Sequence, residues 1–358
     1  MRIGIITMVS DNYGNRLQNY ALQNILTESG NSVETLNNPW NIDYNMYFEW
    51  LKFKIKKRLF FITKRPERFK RRLNFERFNR ENISFSKYWL NKKRDQIAAN
   101  QYYDMLICGS DQVWNSEAAE IDGRYFADFA DHDKRASYAA SFGIQKIVDD
   151  RKEEFTRYLL GMRHISVREH SGERIVEELI NRKVSCHIDP TLLLSSGQWD
   201  RIANQYKVAN NAYIFCYFLG KPTKAILDKL REYKKKNNID VLSIWNGNDA
   251  THNNVGPGEF LALIKGAEFV LTDSFHGTAF SVIYHKSFYT FSRNGVRESM
   301  DTRVVSLLEM LGLADRFEPE NWNLHDDLEI DFHNADCILE NERKKAIEYL
   351  AELTHQKA

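Results

Sequence analysis

The chain has 358 residues, 43% hydrophobic and 13% aromatic, beyond the roughly 250 at which a single core stops growing, so two domains are expected. Its 50 basic and 49 acidic side chains leave a net charge of +1, which excludes a surface that is wholly an electrostatic footprint for nucleic acid. The opening MRIGIITMVSDN turns polar too early for a secretory h-region, and no later stretch approaches about 18 uncharged apolar residues, so a cytoplasmic protein is expected.

The first elements read as strand, loop and helix. Residues 2–7 form an apolar β-branched run, SDNYGN is loop chemistry, and RLQNYALQNILTESG carries apolar Leu17, Tyr20, Ala21, Ile25 and Leu26 at helical spacing. Residues 51–80 break the alternation with thirteen Lys or Arg against two Glu, a local charge of +11. Aromatic and aliphatic residues are interleaved there, as in LKFKIKKRLFF and RFKRRLNFERF. Two readings follow: an amphipathic helix pair against anionic lipid headgroups, or a solvated helical insertion over about 45–95 whose aromatic stripe packs on its own domain. No nucleic-acid fold accompanies the patch.

YDMLICGS reads as the second strand, over 105–108, followed by short apolar runs at SYAASFG, HISVRE and VSCHIDP. After Pro190 and TLLLSSGQW the pattern restarts. Strands are expected at 213–218, 241–245, 269–272 and 287–292, and helices at 221–236, 257–266, 277–284 and 301–311. This alternation suits right-handed crossovers. The expected class is therefore α/β, with two doubly wound Rossmann-like domains, 1–190 and 191–335, facing across a cleft lined by the carboxyl ends of their strands. A final helix within 336–358 can pack back on the N-terminal domain.

The sharpest local signal is LTDSFHGTAFSVIYH, residues 271–285, where a strand runs into Asp273, Ser274 and His276 just before a helix expected from Gly277. Unpaired N–H groups and the dipole at such a terminus favour an anion, and an imidazole beside them can bind phosphate or move a proton. Helix capping by Asp273 or Ser274, with His276 as a turn residue, is the plainer reading. In HISVREHSG, Arg168 follows the strand tip, where a guanidinium can grip a carboxylate or phosphate with two hydrogen bonds, although structural arginines are common. The loops with Asn12, Tyr13, Asn15 and Gln18, and with Asp111, Gln112 and Trp114, offer amides, a carboxylate and aromatic faces for hydroxyl-rich ligands. There is no Walker A sequence, no Gly-x-Gly-x-x-Gly and no nucleophile elbow. Cys108, Cys186, Cys216 and Cys337 show no CxxC and no Cys/His pair at zinc spacing, so they read as reduced thiols, mostly core filler, and neither metal nor cofactor is expected.

Seven segments in order, NYGNRLQNYALQ, YDMLICGSDQVWN, RASYAASFG, ISVREHSG, HIDPTLLL, GPGEFLALIKGAEFVLTDSFHGTAF and RVVSLLEMLGL, resemble the polysaccharide pyruvyl transferase family over about residues 1–313. The resemblance implies a GT-B-like fold and a donor, phosphoenolpyruvate, whose pyruvyl group becomes a ketal on a sugar of a bacterial surface polymer such as a capsule or exopolysaccharide. A lipid-linked oligosaccharide is the expected acceptor, and the basic segment 51–80 is the expected route to peripheral attachment on the inner face of the cytoplasmic membrane. His276 matches the family's donor-contacting histidine, and Arg168 the arginine that holds the donor's anionic groups. The family's arginine two residues before that histidine is Ser274 here, so its charge must come from elsewhere, and Arg293, Arg297 or Arg303 could supply it.

The implied donor site is Arg168, Ser274, His276, Gly277, Arg293 and Arg303. From their loop chemistry, Asn12, Tyr13, Asn15, Gln18, Asp111 and Gln112 are assigned to the acceptor, with His276 and Asp111 catalytic. Ketal formation needs a proton on the donor's methylene carbon, then attack by one hydroxyl, loss of phosphate and ring closure by a second. Two rivals remain: a GT-B glycosyltransferase using a nucleotide sugar, and a non-catalytic carbohydrate-binding scaffold recruited to the membrane by the basic segment.

Overall fold

Ile3, Ile5 and Ile6 bury both faces of β1 (Arg2–Ile6), as a central parallel strand requires. The computed structural model describes residues 1–38, 66–207, 211–245, 250–294, 301–319, 322, 324 and 329–355. After β1 come α1 (Tyr13–Glu28), β2 (Ser32–Asn37), α2 (Pro66–Asn82), β3 (Phe85–Trp89), α3 (Lys93–Tyr102), β4 (Met105–Cys108) and β5 (Arg135–Ser137). Their sheet is parallel throughout, in the order β3-β2-β1-β4-β5. The chain then adds α4 (Lys152–Leu160), β6 (Ser166–Val167), α5 (His170–Ile180) and β7 (Ser185–Cys186). Single parallel bridges, Ala136 to His164 and Ala140 to Val167, link β5 and its continuation to the β6–β7 pair.

Three sequence expectations need correction here. Met105–Cys108 is the fourth strand, because β2 and β3 precede it. SVETLN looks polar, yet Val33, Thr35 and Leu36 are buried between β1 and β3, and that setting overrides a weak local propensity. Residues 85–95 are accordingly strand and helix of the domain, not part of an insertion; residues 45–65 lie outside the described residues. SYAASFG stops being a strand at Ser137, because Ala139 sits at φ 48°, which breaks the ladder until Ala140.

The second half runs α6 (Ser196–Ala203), β8 (Tyr213–Tyr217), α7 (Lys224–Asn237), β9 (Asp240–Ile244), α8 (Pro257–Gly266), β10 (Phe269–Thr272), α9 (Phe275–Ile283), β11 (Ser287–Thr290), α10 (Thr302–Met310) and α11 (His333–His355). Its sheet is parallel in the order β11-β10-β8-β9. A capping box between Ser195 and Gln198 starts α6, a helix that SSGQW signals only through its Ser-x-x-Gln spacing.

The chain divides into two compact units: Met1–Lys64, Glu76–Leu193 and Asn341–Ala358 form one, and Arg65–Phe75 with Leu194–Glu340 the other. The first is cored by Trp114, which stacks on Phe126 at 4.9 Å, with Phe142, Phe155 and the strand aliphatics around them. Within it the end of α11 returns to the sheet side: Arg343 Nε donates to the Leu192 carbonyl at 2.7 Å and the Tyr349 hydroxyl to that of Ser137 at 2.9 Å. The second unit packs Ile214, Cys216, Phe269 and Leu271 against Phe218, Phe291 and Trp322. On α2, Phe75 and Phe78 are buried while Lys70, Arg72, Arg77 and Arg80 are exposed. Phe75 and Phe78 thus pack into protein. Among the described residues no helix is long and apolar enough to cross a membrane.

Candidate functional site

Each sheet has a topological switch point, where the chain changes its direction of growth and the loops at the carboxyl ends of two neighbouring strands diverge. In the first unit it lies between β1 and β4, in the second between β8 and β10. Both hold candidate residues, and in each an aspartate follows the strand.

In the first unit the loops after β1 and β4 meet through Asn15, whose Nδ2 donates to Asp111 Oδ2 at 3.1 Å. Asp111 has φ 79°, a left-handed conformation that is uncommon outside glycine and marks a loop held in place by its surroundings. Its carbonyl accepts from Ser141 N at 3.0 Å and Val113 N at 2.7 Å, and its Oδ1 from Gln112 N at 2.8 Å. Gln112 is half-buried against Gly143, where a Cβ would stand 2.2 Å from its Nε2. Asn12 is the N-cap of α1 and accepts from Asn15 N at 3.2 Å. Tyr13 and Gln18 lie in the interior, Gln18 Nε2 donating to Thr7 Oγ1 at 2.9 Å. Of the expected acceptor residues, Asn12, Asp111 and Gln112 therefore keep exposed surface.

Arg168 is reached through the same network. Its side chain is 2% exposed, and Nη1 donates to Asp189 Oδ2 at 2.6 Å and to Ser110 Oγ at 3.2 Å. Glu169 Oε2 lies 3.7 Å from its Nε. Burial works against the charge, but the carboxylates of Asp189, Glu169 and Asp111 outweigh it, so the guanidinium is held above its ordinary pKa. Glu169 Oε1 in turn accepts from Ser141 Oγ and the backbone N–H groups of Phe142 and Gly143 at 2.9 to 3.0 Å. Nη1 of this arginine is thus taken up by Asp189 and Ser110 of its own unit.

In the second unit Asp273 ties the two strand-end loops together: Oδ1 accepts from Leu219 N at 2.5 Å and Oδ2 from Gly220 N at 2.9 Å. Burial raises its pKa, partly offset by those N–H groups and by the charge of Arg293. Arg293 lies beside it, its Cγ 3.3 Å from where a Gly220 Cβ would be. Ser274 caps α9, its Oγ accepting from Gly277 N at 3.4 Å. The helix starts at Phe275, two residues earlier than the sequence suggests, because the cap is Ser274. His276 thus lies buried in the first turn. Arg303 is buried on α10, which packs on α9. Arg297 is outside the described residues.

Gly277 allows α9 to start so close to the strand. A Cβ there would stand 2.3 Å from Thr272 Oγ1, and Thr272 is fixed by its 2.6 Å hydrogen bond to the Tyr217 carbonyl. Gly277→Ala is expected to destabilise the second unit by about 1–3 kcal/mol, the usual cost of overpacking. Chemical denaturation measures it, and Gly197→Ala, whose Cβ would meet only Ser195 Oγ at 3.9 Å, is the control.

The family model of the polysaccharide pyruvyl transferases matches residues 12–295, across both switch points. The chain belongs to that family. No curated protein matches it. Among solved structures, UDP-GlcNAc 2-epimerase from Methanocaldococcus jannaschii is 12% identical with a TM-score of 0.51, covering 100% of this chain and 94% of that one. UDP-GlcNAc 2-epimerase from Neisseria meningitidis bound to UDP-GlcNAc is 10% identical with a TM-score of 0.51, covering 100% of each chain. At such identity the likeness shows fold alone, the two-domain Rossmann-like GT-B class expected from the sequence.

The sequence reading missed Arg16, a fully buried arginine in the first turn of α1. It donates to the Met8 carbonyl, to Asn15 Oδ1 at 2.7 Å and to Asn19 Oδ1 at 3.3 Å. Burial lowers its pKa to about 10, with Asp11 and Asp111 opposing. Its place three residues after Tyr13 and four before Tyr20, on one helix face, was the available signal. Asp189, the partner of Arg168, lay unremarked in HIDPTLLL.

Proposed function

We propose that the chain moves the pyruvyl group of phosphoenolpyruvate onto two hydroxyls of a sugar, forming a pyruvate ketal and releasing phosphate. The observation that carries this reading is His276, buried in the first turn of α9 at the carboxyl end of β10, within the segment matched to the family. A helix N-terminus there favours a dianionic phosphate, and the imidazole can deliver the proton needed by the methylene carbon. Arg293 and Arg303 are assigned the donor's remaining anionic charge, with Ser274 and Gly277 shaping the turn. Arg168, with Asp189 at 2.6 Å, is assigned to positioning: it holds Ser110 and the Asp111 turn. Asp111, with Asn12 and Gln112, is assigned to the acceptor, taking protons from the attacking hydroxyls. One proton enters at carbon, a sugar oxygen bonds to the donor's C2, the C2–O bond to phosphate breaks, and the second hydroxyl closes the ring.

The test is phosphate release from phosphoenolpyruvate with lipid-linked oligosaccharide acceptors. Acceptor-dependent release together with ketal product is expected. Release of nucleotide from nucleotide sugars instead would point to a glycosyltransferase, and no turnover with any acceptor to a binding scaffold.

The lipid linkage of the acceptor calls for a membrane surface, and the exposed Lys70, Arg72, Arg77 and Arg80 of α2 suit anionic headgroups, at about 1 kcal/mol per basic residue. Charge reversal of these four is expected to abolish binding to phosphatidylglycerol vesicles at physiological salt. Unchanged co-sedimentation would remove the membrane from the account.

A further inference from the structure

We infer that His170, Glu173 and Cys186 form a binding site for a borderline-soft divalent cation of the zinc class. The three each offer one ligand atom, and those atoms lie within 4.8 Å of one another. His170 and Glu173 stand three residues apart on the first turn of α5, so their side chains share one face. Their Nδ1 and Oε2 atoms approach to 2.5 Å. Cys186 comes from β7, whose pairing with β6 sets it opposite Val167 and so beside the turn that leads into α5. It is a free, half-buried thiol.

Imidazole nitrogen, carboxylate oxygen and thiolate sulfur are the donor types zinc takes, at about 2.0–2.3 Å, which sets neighbouring ligand atoms roughly 3.3–3.8 Å apart in a tetrahedron. The imidazole and carboxylate stand closer than that, at 2.5 Å, and all three atoms lie within 4.8 Å of one another. The imidazole and carboxylate need part by about 1 Å, which a side chain 74% exposed, as that of His170 is, can do by rotation. Burial, followed by the charges of Glu173, Glu169 and Glu342, pushes the Cys186 thiol up against the pull of Arg168, so the cation must displace its proton. Sulfur among the ligands favours zinc over magnesium or calcium, and the exposed side leaves the fourth position to water.

Such a cation would clip the residues following Arg168 to the strand that leads to Asp189. Those two segments carry the 2.6 Å ion pair of the first unit, so the site would act as a brace for it. A plain surface pair between His170 and Glu173 is the alternative, and it requires no contribution from Cys186.

Cobalt(II) titration of the full chain, stripped with chelator, separates the two. A Cys337→Ser background removes the exposed thiol, while Cys108 and Cys216 are buried. A thiolate-to-cobalt absorption band displaced by zinc is expected there, absent in Cys186→Ser, with affinity lowered at least about tenfold by His170→Ala or Glu173→Gln. In the unsubstituted chain, zinc should slow alkylation of Cys186 but not of Cys337, read by peptide mass, so the inference does not depend on any variant folding. Absence of the band, its survival in Cys186→Ser, or equal alkylation with and without zinc would overturn it.

Discussion

His276→Ala is expected to lower kcat for phosphate release by about 10²- to 10⁴-fold, the range that a positioned acid or base contributes. The imidazole sits in the first turn of α9, where Ser274 caps the helix and Gly277 lets it approach the strand. Backbone N–H groups of that turn remain in the variant, so part of the phosphate affinity should survive. His276→Gln separates the two roles, because an amide donates a hydrogen bond but cannot deliver a proton at neutral pH. A fall in kcat with KM unchanged identifies proton delivery; a raised KM with kcat retained identifies phosphate binding. Wild-type values of both parameters in both variants would remove His276 from the chemistry.

The largest stability effect belongs to Asp189→Ala, at about 3–5 kcal/mol, the cost of breaking a buried ion pair by removing one partner. Asp189 Oδ2 takes Arg168 Nη1 at 2.6 Å and Ser110 Oγ at 2.8 Å, while Oδ1 takes the N–H and hydroxyl of Thr191 at 2.9 and 2.8 Å. Its loss removes the carboxylate nearest the Arg168 guanidinium, Glu169 Oε2 being 3.7 Å from Nε. The double variant Asp189→Leu with Arg168→Met should recover much of the loss, since apolar replacement of a whole buried pair is often neutral. Urea denaturation of the first unit reports both. A cost below about 1 kcal/mol would show that Arg168 does not depend on this pair.

The different fates of Arg168 and His276 show what the sequence made legible. Both were located at strand tips, because an apolar run ending in polar residues marks the carboxyl end of a parallel strand. The second-half strands and helices were readable for the same reason: FVLT and the helix opened by PGE have strong, local patterns. SVETLN and FSKYW did not stand out, because they become strands only between neighbours that cover them. Nor could the sequence reveal that Asp189 and Ser110, respectively 21 and 58 positions from Arg168, take up its guanidinium. Such partners are fixed by sheet order, and so is the buried Arg16. The missing arginine before His276 was visible, whereas the proximity of Arg293 to Asp273 needed the fold.

Isothermal titration of phosphoenolpyruvate into the unsubstituted chain, and into Arg293→Ala, tests most directly whether an anionic three-carbon donor is bound at α9. Saturable one-site binding is predicted without acceptor, weakened at least about tenfold in Arg293→Ala, in line with loss of a charged contact, with no heat from UDP-GlcNAc. Binding of UDP-GlcNAc in place of phosphoenolpyruvate, or phosphoenolpyruvate affinity indifferent to Arg293, would contradict it.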